Sequence, residues 1–268
     1  MKDNRKKALL VVSFGTSDPG GRKNSIESVE NALREAFPDR QFYRAWTSGM
    51  IISILSKRGV HVDSLEDAIL RMKEEGIDDV LVQPTHVLPG IEYEKILKAF
   101  GVHEATDENS ILPSGFRKVH IGRPLISNDE DIKELTSVLR KTFPLPTEKE
   151  LLICVGHGTR HKANEIYKQM EDSFHKEGSD NVIFVTLEGS GASSIMERIK
   201  SFDPTKICLV PFLFVCGEHA RNDIGGKDAD SLLSLLKRAG YDTHVVMKGL
   251  GEYPLVQSIY VEHARELL

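Results

Sequence analysis

The sequence predicts an α/β protein of two similar domains, each a parallel sheet flanked by helices, with a cleft between them. Three observations lead there. Strand-like and helix-like runs alternate from start to end, the order expected of a doubly wound parallel sheet. Most strand-like runs are short, rich in Val, Ile and Leu, and do not alternate with polar residues, as in strands covered on both faces. The third observation is an internal repeat. Lys6-Lys-Ala-Leu-Leu-Val-Val-Ser-Phe-Gly-Thr16 aligns with Lys149-Glu-Leu-Leu-Ile-Cys-Val-Gly-His-Gly-Thr159. Asp79-Val-Leu-Val-Gln-Pro84, followed by Gly90-Ile-Glu92, aligns with Lys206-Ile-Cys-Leu-Val-Pro211, followed by Gly217-Glu-His219. A repeat of this size means two similar domains, and ligand sites favour the interfaces between domains.

In chain order, the expected strands of the first half are Lys7 to Ser13, Gln41 to Trp46, Asp79 to Pro84 and Val119 to Gly122. Those of the second half are Glu150 to Val155, Asn181 to Leu187, Lys206 to Phe212 and Thr243 to Met247. A helix over Asn24 to Phe37 opens on Asn24 as its cap and ends before Pro38. Ser64 to Glu75 starts with a Ser64-Leu-Glu-Asp67 capping box and stops at Gly76. Lys162 to Lys176 and Asp228 to Ala239 read the same way, and Ser190 and Ser193 open one more helix. Each half closes with a helix, Asp129 to Phe143 and Tyr253 to Leu268. Pro144 to Thr147 is the natural linker, which divides the chain into 1–144 and 145–268. The alternative for the last helix, 253–268, is to cross back and pack on the first domain.

Composition bounds the function. A chain of 268 residues suits one large domain or two of about 130 residues each. A hydrophobic share of 40% and a charged share of 28% are those of an ordinary globular protein. The net charge of −5 gives no support for nucleic acid or an anionic membrane as partner. The N-terminus is basic, but the apolar run Ala8 to Val12 is too short for a signal peptide or a membrane span, so the expected location is cytoplasmic. The three cysteines are odd in number and have no metal-knuckle spacing. Cys154 and Cys208 read as reduced core thiols; for Cys216, just past a strand, approach to a site is an alternative reading and not the main one.

The chemistry concentrates in the second half. His157 ends its first strand, Glu188 its second, and His219 follows its third. Open α/β sheets bind ligands at the carboxyl ends of their strands, and adjacent strands lie about 4.8 Å apart, so the three side chains can converge. Two imidazoles and a carboxylate suit a divalent first-row ion such as Co, Ni, Fe or Zn, and softness alone does not choose among them. In the first half Phe14 stands in the place of His157, and Glu92 in that of His219. The second half would then bind the metal, while the first offers an apolar wall and one carboxylate, a pairing suited to a large planar ligand.

Each residue also has a plainer reading. His157 could be a polar turn residue, His219 part of a helix-start cluster, and Glu188 a capping or solvated carboxylate. Glu92 could be a first-turn charge favoured by the helix dipole, with Glu94 as its competitor. His86 and His161 lie near the same loops without a repeat counterpart and read as surface or supporting residues. His61, His103, His120, His175, His244 and His263 read as structural or exposed. The loop Ser13-Phe-Gly-Thr-Ser17 and Asp18-Pro-Gly-Gly21 precedes a helix, where backbone N–H groups attract carboxylates or phosphates. It is neither a Walker loop nor a Gly-x-Gly-x-x-Gly loop. Ser13, Phe14 and Thr16 are thus candidate substrate-binding residues, joined by Arg44 at the end of the next strand.

Six stretches in order carry a family resemblance over nearly the whole chain. They are Lys7-Ala-Leu-Leu-Val-Val-Ser-Phe-Gly-Thr-Ser17, Arg44-Ala-Trp-Thr-Ser-Gly-Met-Ile-Ile52, Glu92-Tyr-Glu-Lys-Ile96, Gly156-His-Gly158, Gly217-Glu-His-Ala-Arg-Asn-Asp223 and Gly249-Leu-Gly-Glu-Tyr-Pro254. With them the chain resembles the anaerobic-type (class II) sirohydrochlorin cobaltochelatases. The resemblance implies a chelatase-like fold with the tetrapyrrole in the cleft, Co²⁺ as substrate metal and no organic cofactor. It implies His157 and His219 as the metal-binding and catalytic pair, Glu188 as a further ligand and Glu92 as the acidic residue opposite. Gly217-Glu-His-Ala replaces the more usual Gly-Asp-His-Ala and leaves His219 in place. No residue matches the haem site of some periplasmic relatives. Insertion of iron or nickel into the same tetrapyrrole shares this ligand set, and a non-catalytic metal or haem carrier is the reading from another class. A zinc hydrolase lacks its His-Glu-x-x-His motif. Oligomeric state stays open.

Overall fold

A computed structural model describes residues 6–101, 115–188 and 192–268. Among the described residues the strands are β1 (Lys7–Ser13), β2 (Gln41–Trp46), β3 (Asp79–Pro84), β4 (Lys118–Ile121), β5 (Glu150–Gly156), β6 (Val182–Thr186), β7 (Lys206–Pro211) and β8 (Asp242–Val245). They form two four-stranded sheets, ordered β2-β1-β3-β4 and β6-β5-β7-β8. Every pairing is parallel. The identical strand order in the two sheets is the sequence repeat expressed as topology. β1 and β5 are central, and Ala8 to Val12 and Leu151 to Val155 are fully buried without a break. That unbroken burial is why these segments carry apolar runs rather than alternation.

The helices are α1 (Pro19–Gly21), α2 (Glu27–Ala36), α3 (Gly49–Lys57), α4 (Leu65–Glu74), α5 (Ile91–Ala99), α6 (Asp129–Thr142), α7 (Glu165–Lys176), α8 (Ala192–Phe202), α9 (Glu218–Gly225), α10 (Leu232–Arg238) and α11 (Pro254–Arg265). α4 carries the expected capping box, in which Ser64 and Asp67 satisfy each other's backbone. The first helical segment differs from expectation. It opens at Pro19, with Asp18 as cap, and passes through a π-turn at Arg22–Ile26 into α2, so Asn24 lies inside it. Aspartate at the cap followed by proline is a strong helix start, and it outweighs Asn24. In the same way Ser231 caps α10, which starts later than Asp228. α3, capped by Ser48, was hidden in a short apolar run. His103 and Ser190 lie outside the described residues.

Two compact units divide the chain: Met1–Ser127 with Gln257–Leu268, and Asn128–Val256. The boundary expected at Pro144 to Thr147 therefore moves upstream, past α6. Thr136 Oγ1 donates to Ser173 Oγ of α7 at 2.9 Å, and Arg140 Nη1 donates to Ser179 Oγ at 3.0 Å, so α6 belongs with the second unit. Most of α11 belongs with the first. Tyr260 Oη donates to the Thr85 carbonyl at 2.9 Å, and Arg123 pairs with Glu266. Among the described residues, no helix is long and apolar enough to cross a membrane.

One ion pair lies deep in the first unit. Arg40 Nη1 meets Asp79 Oδ1 at 2.8 Å, with both side chains 4% exposed, and also donates to the Ala8 carbonyl at 3.2 Å. It ties the loop before β2 to the start of β3 across β1. Removing one partner of such a pair leaves an uncompensated buried charge, which costs about 3–5 kcal/mol. Arg40→Met is therefore expected to lower the unfolding free energy measured by urea titration by that amount, with a correspondingly lower midpoint. Arg40→Met combined with Asp79→Leu is expected to recover most of the loss, and an unchanged midpoint in the single variant would show that the pair contributes nothing.

Candidate active site

Strand ends build the site of the second unit. β5 lies between β6 and β7, with Gly156 level with Thr186 and Val155 level with Pro211. Residues after these positions leave from one edge of the sheet, its carboxyl edge. Pairing continues briefly past the strands: Leu187 N–H donates to the Gly156 carbonyl at 2.9 Å and Glu188 N–H to the His157 carbonyl at 2.8 Å. Thr186 Oγ1 donates to the Glu188 carbonyl at 2.8 Å. The result is that His157 Nδ1 stands 3.9 Å from Glu188 Oε1, with side chains 65% and 64% exposed.

The two glycines around His157 have separate reasons. Gly158 has φ +85°, and a Cβ there would lie 2.4 Å from the Glu188 carbonyl oxygen. A Cβ at Gly156 would lie 2.1 Å from the Tyr167 ring. Gly158 N–H donates to Tyr167 Oη at 3.4 Å. Burial pushes the Tyr167 hydroxyl pKa up, while the Gly158 and His157 amides hold it back. The His157 Nδ1 atom lies 3.1 Å from the Gly158 carbonyl. A carbonyl only accepts, so this contact puts the ring proton on Nδ1 and leaves the Nε2 lone pair for an ion. Thr159 N–H donates to Asn164 Oδ1 at 3.0 Å, and Ala163 N–H donates to His161 Nδ1 at 3.2 Å. His161 is thus a turn cap. Tyr167 and Asn164, which shape the loop, had no sequence signal beyond their helix.

His219 is the second residue of α9, whose cap Gly217 is extended at φ −81°, ψ −170°. Its side chain lies outside the described part of the structure, as does Gly189 after Glu188. Among the described residues, no group of three or more His, Cys, Asp or Glu is arranged to hold a metal. Cys216 does not take the alternative of approaching a site: it is 2% exposed and packs in the core of the second unit with Ala220 and Ile224. No disulfide links it to Cys154 or Cys208, both also buried. A cavity of about 250 Å³ lies beside Thr186 and Leu187, with Asp223 and Ser231 in its wall. It falls below the usual range for small-molecule pockets, about 300–1,000 Å³.

The first unit repeats the same backbone with other side chains. Thr47 N–H donates to the Ser13 carbonyl at 2.9 Å and Ser48 N–H to the Phe14 carbonyl at 3.2 Å, the counterparts of the Leu187 and Glu188 bonds. Gly15, like Gly158, has positive φ. Phe14 is 46% exposed at the strand end. Met50 in the first turn of α3 is 68% exposed and Ile91 at the start of α5 is 57% exposed. Sequence reasoning missed these two; an apolar residue just behind a helix cap at a strand end is the signal that could have found them.

Three of the expected substrate-binding residues are engaged elsewhere. Ser13 is fully buried, and its hydroxyl accepts from Thr85 Oγ1 at 2.8 Å. Thr16 is 8% exposed, and its oxygen accepts from Asp18 N–H at 3.2 Å. Asp18 Oδ2 in turn accepts from Gly21 N–H at 2.8 Å, so the loop supplies its own carboxylate where an anion was expected. Arg44 is not at a strand end but within β2, level with Val11. Its Nε donates to Glu30 Oε1 at 2.6 Å, its Nη2 to the other Glu30 oxygen, and Glu27 lies 3.7 Å away. Burial pushes the Glu30 carboxyl pKa up and Arg44 pulls it back, while the Glu30 hydrogen bond raises that of Arg44. The guanidinium thus neutralises a buried carboxylate.

Glu92 is the second residue of α5, behind Gly90, which is extended at φ −97°, ψ −167° much as Gly217 is. Its Oε1 accepts from Lys95 Nζ at 2.6 Å, while its Oε2 is buried with no hydrogen-bond partner among the described residues. Glu94 is exposed. His86 lies two residues past β3, with both ring nitrogens buried and likewise unpartnered. Burial pushes its pKa down to about 4, with Glu92 opposing and Lys95 assisting. Of the other histidines, His61 is exposed and meets Asp63 at 3.1 Å, His175 bonds the Val182 carbonyl at 3.0 Å, and His263 is buried.

The family model described as cobalt chelatase (CbiK) matches residues 7–268. The sirohydrochlorin cobaltochelatase of Salmonella typhimurium is 31% identical over 264 residues, which cover 98% of this chain and 97% of that one. The sirohydrochlorin cobaltochelatase CbiKC of Nitratidesulfovibrio vulgaris is 27% identical over 260 residues, covering 96% and 89%. Among solved structures, SirB from Bacillus subtilis with Fe³⁺ has a TM-score of 0.65 at 13% identity, covering 98% of this chain and 95% of that one, a likeness of fold. With its two parallel sheets and a family match that runs from β1 to the last residue, the chain belongs to the CbiK cobalt chelatase family.

Proposed function

We propose that the chain inserts Co²⁺ into sirohydrochlorin, the metallation step of cobalamin biosynthesis, with His157, Glu188 and His219 as the metal ligands. Family membership carries the reaction. The observation that carries the site is the exposed His157–Glu188 pair, 3.9 Å apart where neighbouring parallel strands end. His219, behind the third strand, completes the ligand set. Two nitrogens and one oxygen leave coordination positions open, as an ion that must be handed on requires. Exposure of the pair supports delivery rather than permanent storage.

Insertion also requires two pyrrole N–H protons to leave. His157 and His219 take protons as well as the ion, and Glu92 assists from the first unit as the carboxylate with an unpartnered oxygen. Phe14, with Met50 and Ile91, offers the macrocycle apolar contact at the carboxyl edge of the first sheet. Ser13, Thr16 and Arg44 then act as supports, and the substrate's carboxylates meet other donors. Cysteines without a disulfide agree with work in the cytoplasm.

Incubation with sirohydrochlorin and Co²⁺ without oxygen is expected to convert the free-base absorption spectrum to that of the cobalt complex. Parallel reactions with Fe²⁺ and Ni²⁺ rank the metals, and stoichiometric binding without product would make the chain a carrier instead. His157→Ala and His219→Ala are each expected to abolish turnover with an unchanged circular-dichroism spectrum; activity in either would move the centre elsewhere.

Gly158→Ala tests the loop. An L-residue at φ +85° with its Cβ 2.4 Å from the Glu188 carbonyl forces that carbonyl to move, and the left-handed conformation alone costs about 1–2 kcal/mol. The expected result is a folded protein whose kcat falls by about 10-fold or more, since small misplacements of reacting groups are costly. Wild-type turnover would show that the His157–Glu188 spacing is immaterial.

A further inference from the structure

Alternate residues of a parallel strand turn their N–H and C=O groups to opposite sides. Beside β5, the Asn181 carbonyl accepts from Leu152 N–H at 3.0 Å, and Leu187 N–H donates to the Gly156 carbonyl at 2.9 Å. Phe184, three residues from each, therefore turns both its backbone groups to the outer edge of β6. Two charged side chains take them there. Glu171 Oε2 of α7 accepts from Phe184 N–H at 2.7 Å, and Arg198 Nη1 of α8 donates to the Phe184 carbonyl at 2.9 Å. Arg198 Nη2 meets both Glu171 oxygens at 2.7 Å. Charge-assisted hydrogen bonds, the stronger kind, thus join α7, β6 and α8 at one point.

Both halves of the His157–Glu188 pair lead back to that point. Glu188 lies in the connection from β6 to α8, and Arg198 ties the strand that enters this connection to the helix that leaves it. α7 also holds the chain around His157. The Tyr167 ring lies against Gly156, and Tyr167 Oη accepts from Gly158 N–H at 3.4 Å. Glu171 follows Tyr167 by four residues, about one helical turn, on the same face of α7. One helix therefore touches the residues on either side of His157 and, a turn later, the strand that carries Glu188.

We propose that Glu171 and Arg198 are positioning residues for the metal: they lock β6 onto α7 and α8 and thereby set the His157–Glu188 spacing. The proposal rests on the reading of His157 and Glu188 as cobalt ligands. Both side chains are about two-thirds exposed, at 65% and 64%, so little packing holds them laterally and their spacing is inherited from the backbone beneath. On the Glu188 side that backbone is the end of an outer strand, with β5 as neighbour on one side only. Its last bonds, Glu188 N–H to the His157 carbonyl and Thr186 Oγ1 to the Glu188 carbonyl, act at the very tip. The Glu171–Arg198 clasp supplies the second side, and it does so upstream, where the strand's course is set.

Titration of the full chain with Co²⁺, read by the visible absorption of the bound ion, tests this as a double-mutant cycle. Circular dichroism checks that each variant is folded. Glu171→Ala is expected to weaken Co²⁺ binding about 10-fold, the lower end of what residues supporting a metal ligand contribute. The effect is expected to vanish without Glu188: Glu171→Ala combined with Glu188→Ala binds as Glu188→Ala alone does, because the two substitutions remove one interaction. A merely structural role would not produce that cancellation. Wild-type affinity in Glu171→Ala, or losses that add in the double variant, would overturn the proposal and leave Glu188 as a ligand. Wild-type affinity in Glu188→Ala would overturn the ligand reading itself, and the proposal with it. Should Glu171→Ala fail to fold, Arg198→Met takes its place in the same cycle, with the same outcomes.

Discussion

The structure depends on how the chain leaves each central strand. β1 and β5 are buried on both faces, so their continuations must turn at once toward the carboxyl edge without colliding with the neighbouring strand. Each does so through a glycine of positive φ, Gly15 after β1 and Gly158 after β5. A side chain at Gly15 would meet the Trp46 ring at 2.6 Å, and one at Gly158 the Glu188 carbonyl at 2.4 Å. The same tight passage lets the next strand's continuation hydrogen-bond across, Ser48 to Phe14 in one unit and Glu188 to His157 in the other. Parallel register, a left-handed glycine and that last bond together fix what stands at the edge. The chemistry there is then a matter of which side chain occupies a position already defined by the backbone.

Much of this was legible in the sequence because burial on two faces leaves a strong mark. Apolar runs such as Leu151 to Val155 have few alternatives to a central strand, and the repeat supplied the order of the rest. The glycines flanking His157 were legible as a turn, but the reason for Gly156 was not, since it depends on the Tyr167 ring from a helix elsewhere in the chain. Boundaries failed where local signals competed: Asp18-Pro19 against Asn24, and Ser231 against Asp228. The place of α6 failed for another reason. Prolines mark where a chain bends, whereas the unit a helix joins is decided by contacts such as Thr136 with Ser173.

Charges were the least legible feature. Arg44 reads in sequence as a cation close to a strand end, free to meet an anion. In the structure its charge balances Glu30, which α2 carries into the protein interior with its side chain 3% exposed. A carboxylate so buried needs a partner or a proton, and nothing in a linear sequence says which arginine will answer. Ser13 and Asp18 follow the same logic. Each polar group close to a buried strand end is claimed first by the backbone and side chains that folding brings to it, and only what is left over can serve a ligand. Phe14, Met50 and Ile91 are left over by the opposite route, as apolar groups that folding does not cover.

The two units therefore share a backbone and differ in what it presents. Where the second has His157, the first has Phe14; where the second has His219, the first has Glu92. Each exchange has a chemical sense. An imidazole holds and releases a first-row ion, which a phenyl ring cannot do; a phenyl ring contacts a flat macrocycle without competing for the ion. A carboxylate in the place of His219 retains the capacity to accept a proton. His86 adds to this asymmetry, because the matching position after β7 is Leu213. The first unit thus carries, two residues past β3, an imidazole whose buried ring nitrogens have no partner among the described residues, where the second unit carries an aliphatic side chain.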